Sequence, residues 1–454
     1  MRLLLSLFFS LSVACLAAQM NKIDYVEYDL DNGLHVILHQ DASTPIVAVS
    51  VMYHVGSKNE KPDRTGFAHF FEHLMFEGSP NIDRGEYFKI IQAAGGELNA
   101  NTSPDRTYYF QTLPSNQLEL GLYMESERML HAKIDSTGIA TQKEVVKEEK
   151  RQGVDNQPYG TLLEKMLKNA YAGTNYEWAP IGTFEDIDAA TDADFVDFYN
   201  TFYVPNNATL TIAGDIDIDG AKKMINDYFA EIKRGTKTIP RPKITAPVLD
   251  GVVEETVFDN VQLPAVIQGY RMPPQGTDDY YAIQLVTQLL SGGQSSRFQK
   301  VLVDEKRIAL GFQVVPLGLE DGGLFINFAL PNQGYEVADL AKEMDALVEQ
   351  IKNEIVPERE FQKLKNQIEN NFISGYGSVQ SIAESLANYR VYFGDAGLIN
   401  TEIERYRKVT REDLMRVAKK YFVPENKVVL TYRPKSEQEK PEEAKIKKEG
   451  GNNE

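Results

Sequence analysis

Residues 191–212, TDADFVDFYNTFYVPNNATLTI, line up without a gap on residues 410–431, TREDLMRVAKKYFVPENKVVLT, at an offset of 219 positions. Thr191 and Thr410 read as helix N-caps, each followed three residues later by an aspartate, Asp194 or Asp413. Each helix then runs into an aromatic pair, Phe202 and Tyr203 or Tyr421 and Phe422, followed by Val-Pro and a β-rich run. Chance can place a capped helix before a strand; Val-Pro and Asn at matched positions favour duplication. The chain is therefore expected to be α+β, built as two homologous domains, each a mostly antiparallel sheet packed with helices. The expected limits are residues 22–232 and 248–435, joined by a Pro- and Lys-bearing linker at 233–247.

A chain of 454 residues, 42% of them apolar and 25% charged, is long enough for two substantial cores. Its formal charge of −18 argues against phosphate neutralisation as a mode of binding, and so against a nucleic-acid partner. Residues 1–18, MRLLLSLFFSLSVACLAA, combine an early Arg, an apolar run from Leu3 to Val13 and small residues up to Ala18. That is the pattern of a secretory signal peptide, too short to span a bilayer after processing, and it implies export to the periplasm. Cys15 is the only cysteine, so the mature domains have no disulfide and no thiolate ligand; lipid attachment at Cys15 is the alternative to a soluble product. Residues 436–454 are charged and lack apolar periodicity, so they are expected to be disordered.

Within the first domain, Tyr25–Leu38 alternates around Asp31, Asn32 and Gly33 as a hairpin. Ile46–His54 reads as a strand, and Leu98–Leu113 as paired strands turning at Ser103, Pro104 and Asp105. Helices are expected over Gly66–Phe76 and Arg84–Ala94, the latter closed by Gly95 and Gly96, over long stretches between Asn116 and Gln152, and over Thr161–Ala170.

His69, Phe70, Phe71, Glu72 and His73 form an H-x-x-E-H pattern in the first of these helices. Two histidines four residues apart project about 40° from one another and can converge on one ion. Glu72 lies about 60° to the other side of His69, near such an ion without ligating it. A polarised water beside a carboxylate able to take its proton is what a metallopeptidase requires. A third ligand is needed, and neither Cys nor a nearby His is available. In TQKEVVKEEKR, with Val145 and Val146 taken as the inward face, Glu149 falls on their centre, while Glu148 and Glu144 point about 110° and 150° away. Glu149 is the expected ligand, with Glu148 as runner-up. Gln142 shares the inward face two turns earlier as an expected hydrogen-bond partner for the site.

These features resemble the pitrilysin/insulinase superfamily of inverted-motif zinc peptidases, and within it the bacterial branch similar to mitochondrial processing peptidase. The resemblance runs through GFAHFFEHLMFEGS, GGELNANTSPDRTYYF, VVKEEKRQ, PIGTFEDI and FYVPNNATLTIAGD, and through GGQSSRFQKVL and YFVPENKVVL. It implies one zinc ion per chain held by His69, His73 and Glu149, with Glu72 as catalytic base. It further implies a peptide substrate added as a strand to the edge at Glu97–Asn101, which makes Asn99 and Ala100 expected substrate contacts. The implied architecture is half of a clamshell. Two departures stand out: Gln142 replaces a frequent Glu, and the family's substrate-gripping Arg and Tyr of the second domain have no counterpart in LVDEKRIALGFQV, where the gapless alignment gives Asp304 and Gly311, and a shift by one gives Glu305 and Phe312. The resemblance therefore implies a heterodimer whose other, homologous subunit brings the Arg/Tyr pair, or alternatively a homodimer. The rival function is a non-catalytic, peptide-binding assembly subunit. A metal-trafficking role fits less well, because trafficking sites favour Cys/His-rich tracts.

Overall fold

A computed structural model describes residues 22–438, so the signal-like segment with Cys15 and the tail beyond Gln438 lie outside the described residues. Lys435–Glu437, at the start of the segment expected to be disordered, form a 3₁₀ turn, with Arg433 Nη1 and Glu437 Oε2 at 3.0 Å; residues 439–454 of that segment lie outside the described residues. No helix among the described residues is long and apolar enough to cross a membrane.

Six strands, β1 (Val26–Asp29), β2 (His35–Gln40), β3 (Ile46–Tyr53), β4 (Glu97–Thr102), β5 (Thr107–Pro114) and β6 (Ala208–Gly214), form one sheet in the order β1-β2-β6-β3-β5-β4. Five more, β7 (Val253–Asp259), β8 (Ala265–Arg271), β9 (Ala309–Leu319), β10 (Gly322–Pro331) and β11 (Lys427–Pro434), form a second in the order β7-β11-β8-β10-β9. Without β1, the first order maps strand for strand onto the second, with the single parallel pair at the same place, β2–β6 in one and β7–β11 in the other.

The first half carries α1 (Phe67–Leu74), α2 (Glu86–Ala93), α3 (Leu118–His131), α4 (Ser136–Lys150), α5 (Leu162–Ala170), α6 (Phe184–Ala189), α7 (Asp192–Phe202) and α8 (Ile218–Phe229). The second carries α9 (Asp278–Ser291), α10 (Val337–Asn353), α11 (Glu358–Ser374), α12 (Val379–Phe393), α13 (Glu402–Lys408) and α14 (Arg411–Tyr421). The aligned helices α7 and α14 both begin with complete capping boxes, Thr191 with Asp194 and Thr410 with Asp413.

The two halves exchange helices. In β3, IVAVSVMY, Val47, Val49 and Val51 face a core shared with α1, α3 and α8. The alternate residues Ala48 and Met52, with Ile37, Tyr108 and Ala213, are buried instead against Val379, Ile382, Ala383, Leu386 and Ala387 of α12, which belongs to the second half. Conversely, Ile267, Leu324, Ile326, Val428 and Leu430 of the second sheet bury Met166, Leu167 and Ala170 of α5, from the first half. Gly269 of β8 makes room for α5, since a Cβ there would lie 2.2 Å from Met166 Sδ. Strands covered on both faces read as near-continuous apolar runs, as β3 does.

An ion cluster reinforces the join. Lys58, 3% exposed, reaches Asp105 at 3.0 Å in the β4–β5 turn, and Glu320 and Asp321 in the β9–β10 turn, the latter at 3.4 Å. Burial works against its charge, and Asp105 and Glu320 outweigh that, holding Lys58 above the ordinary lysine value. Glu320 N donates to Asp105 Oδ2 at 2.9 Å, so the two turns are also bonded through backbone.

Residues 22–232 expressed alone expose the face built by Ile37, Ala48, Met52, Tyr108 and Ala213. That fragment should lack a cooperative thermal transition and aggregate, while co-expression with residues 233–438 should restore a cooperative transition and a soluble species; a monomeric fragment melting sharply would count against the exchange. Lys58→Met should cost about 3–5 kcal/mol in denaturant unfolding, because it leaves buried carboxylates without their cation.

Candidate metal centre and active site

The H-x-x-E-H helix α1 is fixed in rotation by its apolar face. Phe67 stacks on Phe195 with ring centroids 4.6 Å apart, Phe70 lies 4.5 Å from Phe195, and Phe71 packs 4.9 Å from Tyr203. Two hydroxyls take carbonyls of the same helix, Tyr109 to Phe71 at 2.8 Å and Tyr203 to Ala68 at 3.3 Å. Gly66 starts the helix at φ 91°, a left-handed conformation in which a Cβ would come 2.9 Å from the carbonyl oxygen of Ile181. Gly66 has no side chain to cap the helix, and Glu60 does this instead. Its carboxyl accepts from Gly66 N at 2.9 Å, Ala68 N at 2.8 Å and Trp178 Nε1 at 2.9 Å. Burial pushes the Glu60 carboxyl up to about 8 despite these donors.

The opposite face of α1 therefore presents His69, Glu72 and His73, and α4 crosses it. Ile139, Val146 and Lys150 of α4 are buried, and this narrow stripe puts Glu149 at its margin. His73 Nε2 lies 3.0 Å from Glu149 Oε2, His69 Nε2 lies 3.5 Å from Glu149 Oε1, and the two imidazole nitrogens are 3.4 Å apart. Hydrogen bonds from His69 and then His73 hold the Glu149 carboxyl well below the usual carboxylate range. Two Nε2 atoms and a carboxylate at a tetrahedral zinc ion stand about 3.3 Å apart, from bond lengths of about 2.0–2.1 Å, so this donor set fits zinc without rearrangement. Among the described residues it is the only His/Cys/Asp/Glu group close enough to share an ion. His69 Nδ1 is buried without a partner, so no second hydrogen bond fixes that ring's tautomer. Beyond Glu149, α4 loosens into a π-helical segment, Arg151–Asp155.

Glu72 sits beside the triad, and its Oε2 accepts from Thr102 Oγ1 at 2.6 Å. Thr102 ends β4, the free edge of the first sheet. Asn99 is exposed, and its Oδ1 accepts from the backbone N of Ala100 at 2.9 Å; Ala100 itself is buried against the core.

The structure thus brings together His69, His73 and Glu149, and places Glu72 beside them. It does not join Gln142 to these ligands: Gln142 Nε2 donates to Glu77 Oε1 at 2.5 Å, and Glu77 is paired with Arg84 at 2.8 Å. Val145, expected inward, is 43% exposed, because the α4 stripe centres on Val146. Glu60 and Thr102 were not anticipated. Alternation along β4 carries a signal for Thr102, since Leu98, Ala100 and Thr102 share one face, and Leu98 and Ala100 pack in the core with α1.

Two histidines and a carboxylate that converge closely enough to share one ion, with Glu72 next to His73 on the same helix, are thus carried on the first of two repeated α+β halves. Residues 35–183 match the family model "Insulinase (Peptidase family M16)", and residues 189–368 match "Peptidase M16 inactive domain". The chain is 32% identical to the zinc protease PqqE of Helicobacter pylori, over 94% of this chain and 97% of that protein. The crystal structure of a protease from Helicobacter pylori superposes with a TM-score of 0.86 at 31% identity, covering 91% of this chain and all of that one. The first half of the periplasmic protease PqqL from Escherichia coli superposes with a TM-score of 0.74 at 19% identity, over 92% of this chain and 93% of that one; of the whole PqqL chain, 51% is covered. The chain belongs to the M16, or insulinase, peptidase family.

Glu60→Ala strips two backbone N–H groups at the start of α1, and the Trp178 indole N–H, of their acceptor. It should destabilise the protein by about 3 kcal/mol in urea unfolding, with Glu60→Gln losing clearly less.

Proposed function

We propose that this chain is a zinc-dependent endopeptidase acting on peptides or small unfolded polypeptides. The observation that carries the reading is the convergence of His69, His73 and Glu149 within 4.8 Å, with Glu72 alongside. A zinc ion bound there supplies Lewis acidity, acidifying a water and polarising the scissile carbonyl. Glu72 takes the proton from the attacking water and returns it to the leaving amine. The open edge of β4 offers backbone groups to an extended substrate, which orients the scissile bond over α1.

In the gapless register the second half carries Asp304 and Gly311 where the resemblance places the family's Arg and Tyr. Asp304 is engaged by Gln299 at 2.9 Å, and a Cβ on Gly311 would meet nothing within 4 Å, so that stretch of β9 stands open. Together with the match to only half of PqqL, this supports pairing with a homologous subunit that completes the substrate chamber, in preference to a homodimer. The N-terminal segment and the periplasmic relative support export to the periplasm.

Glu72→Gln should keep one zinc per chain by elemental analysis and lower hydrolysis of a quenched fluorescent peptide by about 10³-fold or more. His73→Ala should lose the metal, and a chelator should silence the wild type reversibly. Stoichiometric zinc with no hydrolysis, tested together with every co-purifying subunit, would turn the assignment to the non-catalytic alternative. Affinity purification from the native cell should recover a homologous chain; a homodimer cleaving at full rate would overturn the heterodimer.

A further inference from the structure

Thr102 is the last residue of β4, and its hydroxyl is aimed at Glu72. The Oγ1–Oε2 distance of 2.6 Å is that of a close hydrogen bond from the hydroxyl to the carboxyl group. Thr102 is not free to turn away. Its backbone is in register with Thr107 of β5, and Ser103 N bonds to Arg106 O at 2.8 Å to close the following turn. Asp105, in that turn, is held by Lys58 at 3.0 Å, by the Tyr176 hydroxyl at 2.6 Å and by Glu320 N at 2.9 Å. The hydroxyl is therefore delivered from a strand end bolted to the second half of the molecule.

A donor held there has two consequences for a general base. The terminal torsion of a glutamate is soft, so a fixed hydrogen bond on one oxygen sets the plane of the whole carboxylate. The hydroxyl takes one lone pair of Oε2 and lowers that oxygen's basicity, so Oε1 is the better placed of the two to accept the proton. We propose that Thr102 is a positioning residue for the peptidase reaction, holding Glu72 with Oε1 directed at the reacting water, so that the strand offered to the peptide backbone also sets the base. The inference rests on the reading of Glu72 as general base given above.

The test compares Thr102→Val, which keeps the shape and loses the donor, with Thr102→Ser, which keeps the donor, in the full chain together with any co-purifying subunit. Two measurements are made on zinc-loaded protein: peptide hydrolysis, and calorimetric binding of acetohydroxamate, whose zinc-bound hydroxamate group hydrogen-bonds to a neighbouring carboxylate without turnover. Thr102→Val should lower kcat by about 10–100-fold with KM within about twofold, and weaken acetohydroxamate by about 5–10-fold. Zinc content and melting temperature should hold, and Thr102→Ser should recover both measurements to within about threefold, with Glu72→Gln marking full loss of the carboxylate's contribution. A Val variant at wild-type kcat and wild-type acetohydroxamate affinity, a Ser variant as impaired as Val, or loss of zinc in Val would overturn the role of Thr102 and leave the peptidase reading standing. A wild type that binds zinc without hydrolysing peptide would overturn the peptidase reading, and the acetohydroxamate series would still decide whether Thr102 holds Glu72.

Discussion

Each sheet of this molecule buries two faces, and for each sheet one face is closed by a helix from the other half of the chain. Burying an aliphatic side chain stabilises by about 1.5–3 kcal/mol, and each exchanged helix, α5 or α12, closes several such contacts. The halves therefore cannot separate without opening both cores, and neither sheet is a finished structure by itself. The ion cluster around Lys58 adds direction to this adhesion. It matches two turns, β4–β5 and β9–β10, that apolar packing alone would let slide.

That constraint reaches the candidate active site through β4. One end of the site, α1, is fixed by aromatic packing and by Glu60 within the first half. The other, Thr102, is fixed through the turn that the second half holds. Glu72 lies where the two meet, so its geometry depends on how the halves are joined as well as on its own helix. A family description of the second half as an inactive domain is compatible with this arrangement: that half contributes no residue to the triad, yet it holds the strand end on which Glu72 leans.

The repeat and the H-x-x-E-H pattern were legible because both are local: a capped helix running into a strand, and histidines one turn apart. The strand pair around Ser103 was legible from alternation for the same reason. The exchange of α5 and α12 was not, since a helix with an apolar stripe does not say which of two similar sheets it covers. Glu149 was chosen with Val145 and Val146 as joint markers of the inward face. Only Val146 is buried, and Glu149 sits at the edge of the helix contact, 44% exposed at its side chain. Glu149 lies within a turn of Val146, which is why helix rotation points to it; one helix face does not tell how wide the covering contact is, which is why its exposure was not legible. Gln142 does lie on the inward stripe, but two helical turns are about 10 Å, too far for it to share the partners of Glu149, and it bonds to Glu77 instead.

Glu60 shows why the remaining determinants escape a reading of pattern. Its role needs three donors from two segments, the start of α1 and Trp178, that meet only after α1 has docked. A left-handed glycine at the helix start leaves the first N–H groups without a local acceptor, and a buried acid from a preceding turn supplies one. The arrangement places a carboxyl group at the positive end of the helix that carries His69 and His73 and keeps it out of water. The same α1 then carries two imidazoles and a carboxylate on its far side, in half-open surroundings where a metal ion and a peptide can reach them. Rigidity on one face of a single helix and access on the other follow from where its four aromatic and aliphatic anchors, Phe67, Phe70, Phe71 and Leu74, fall around the axis.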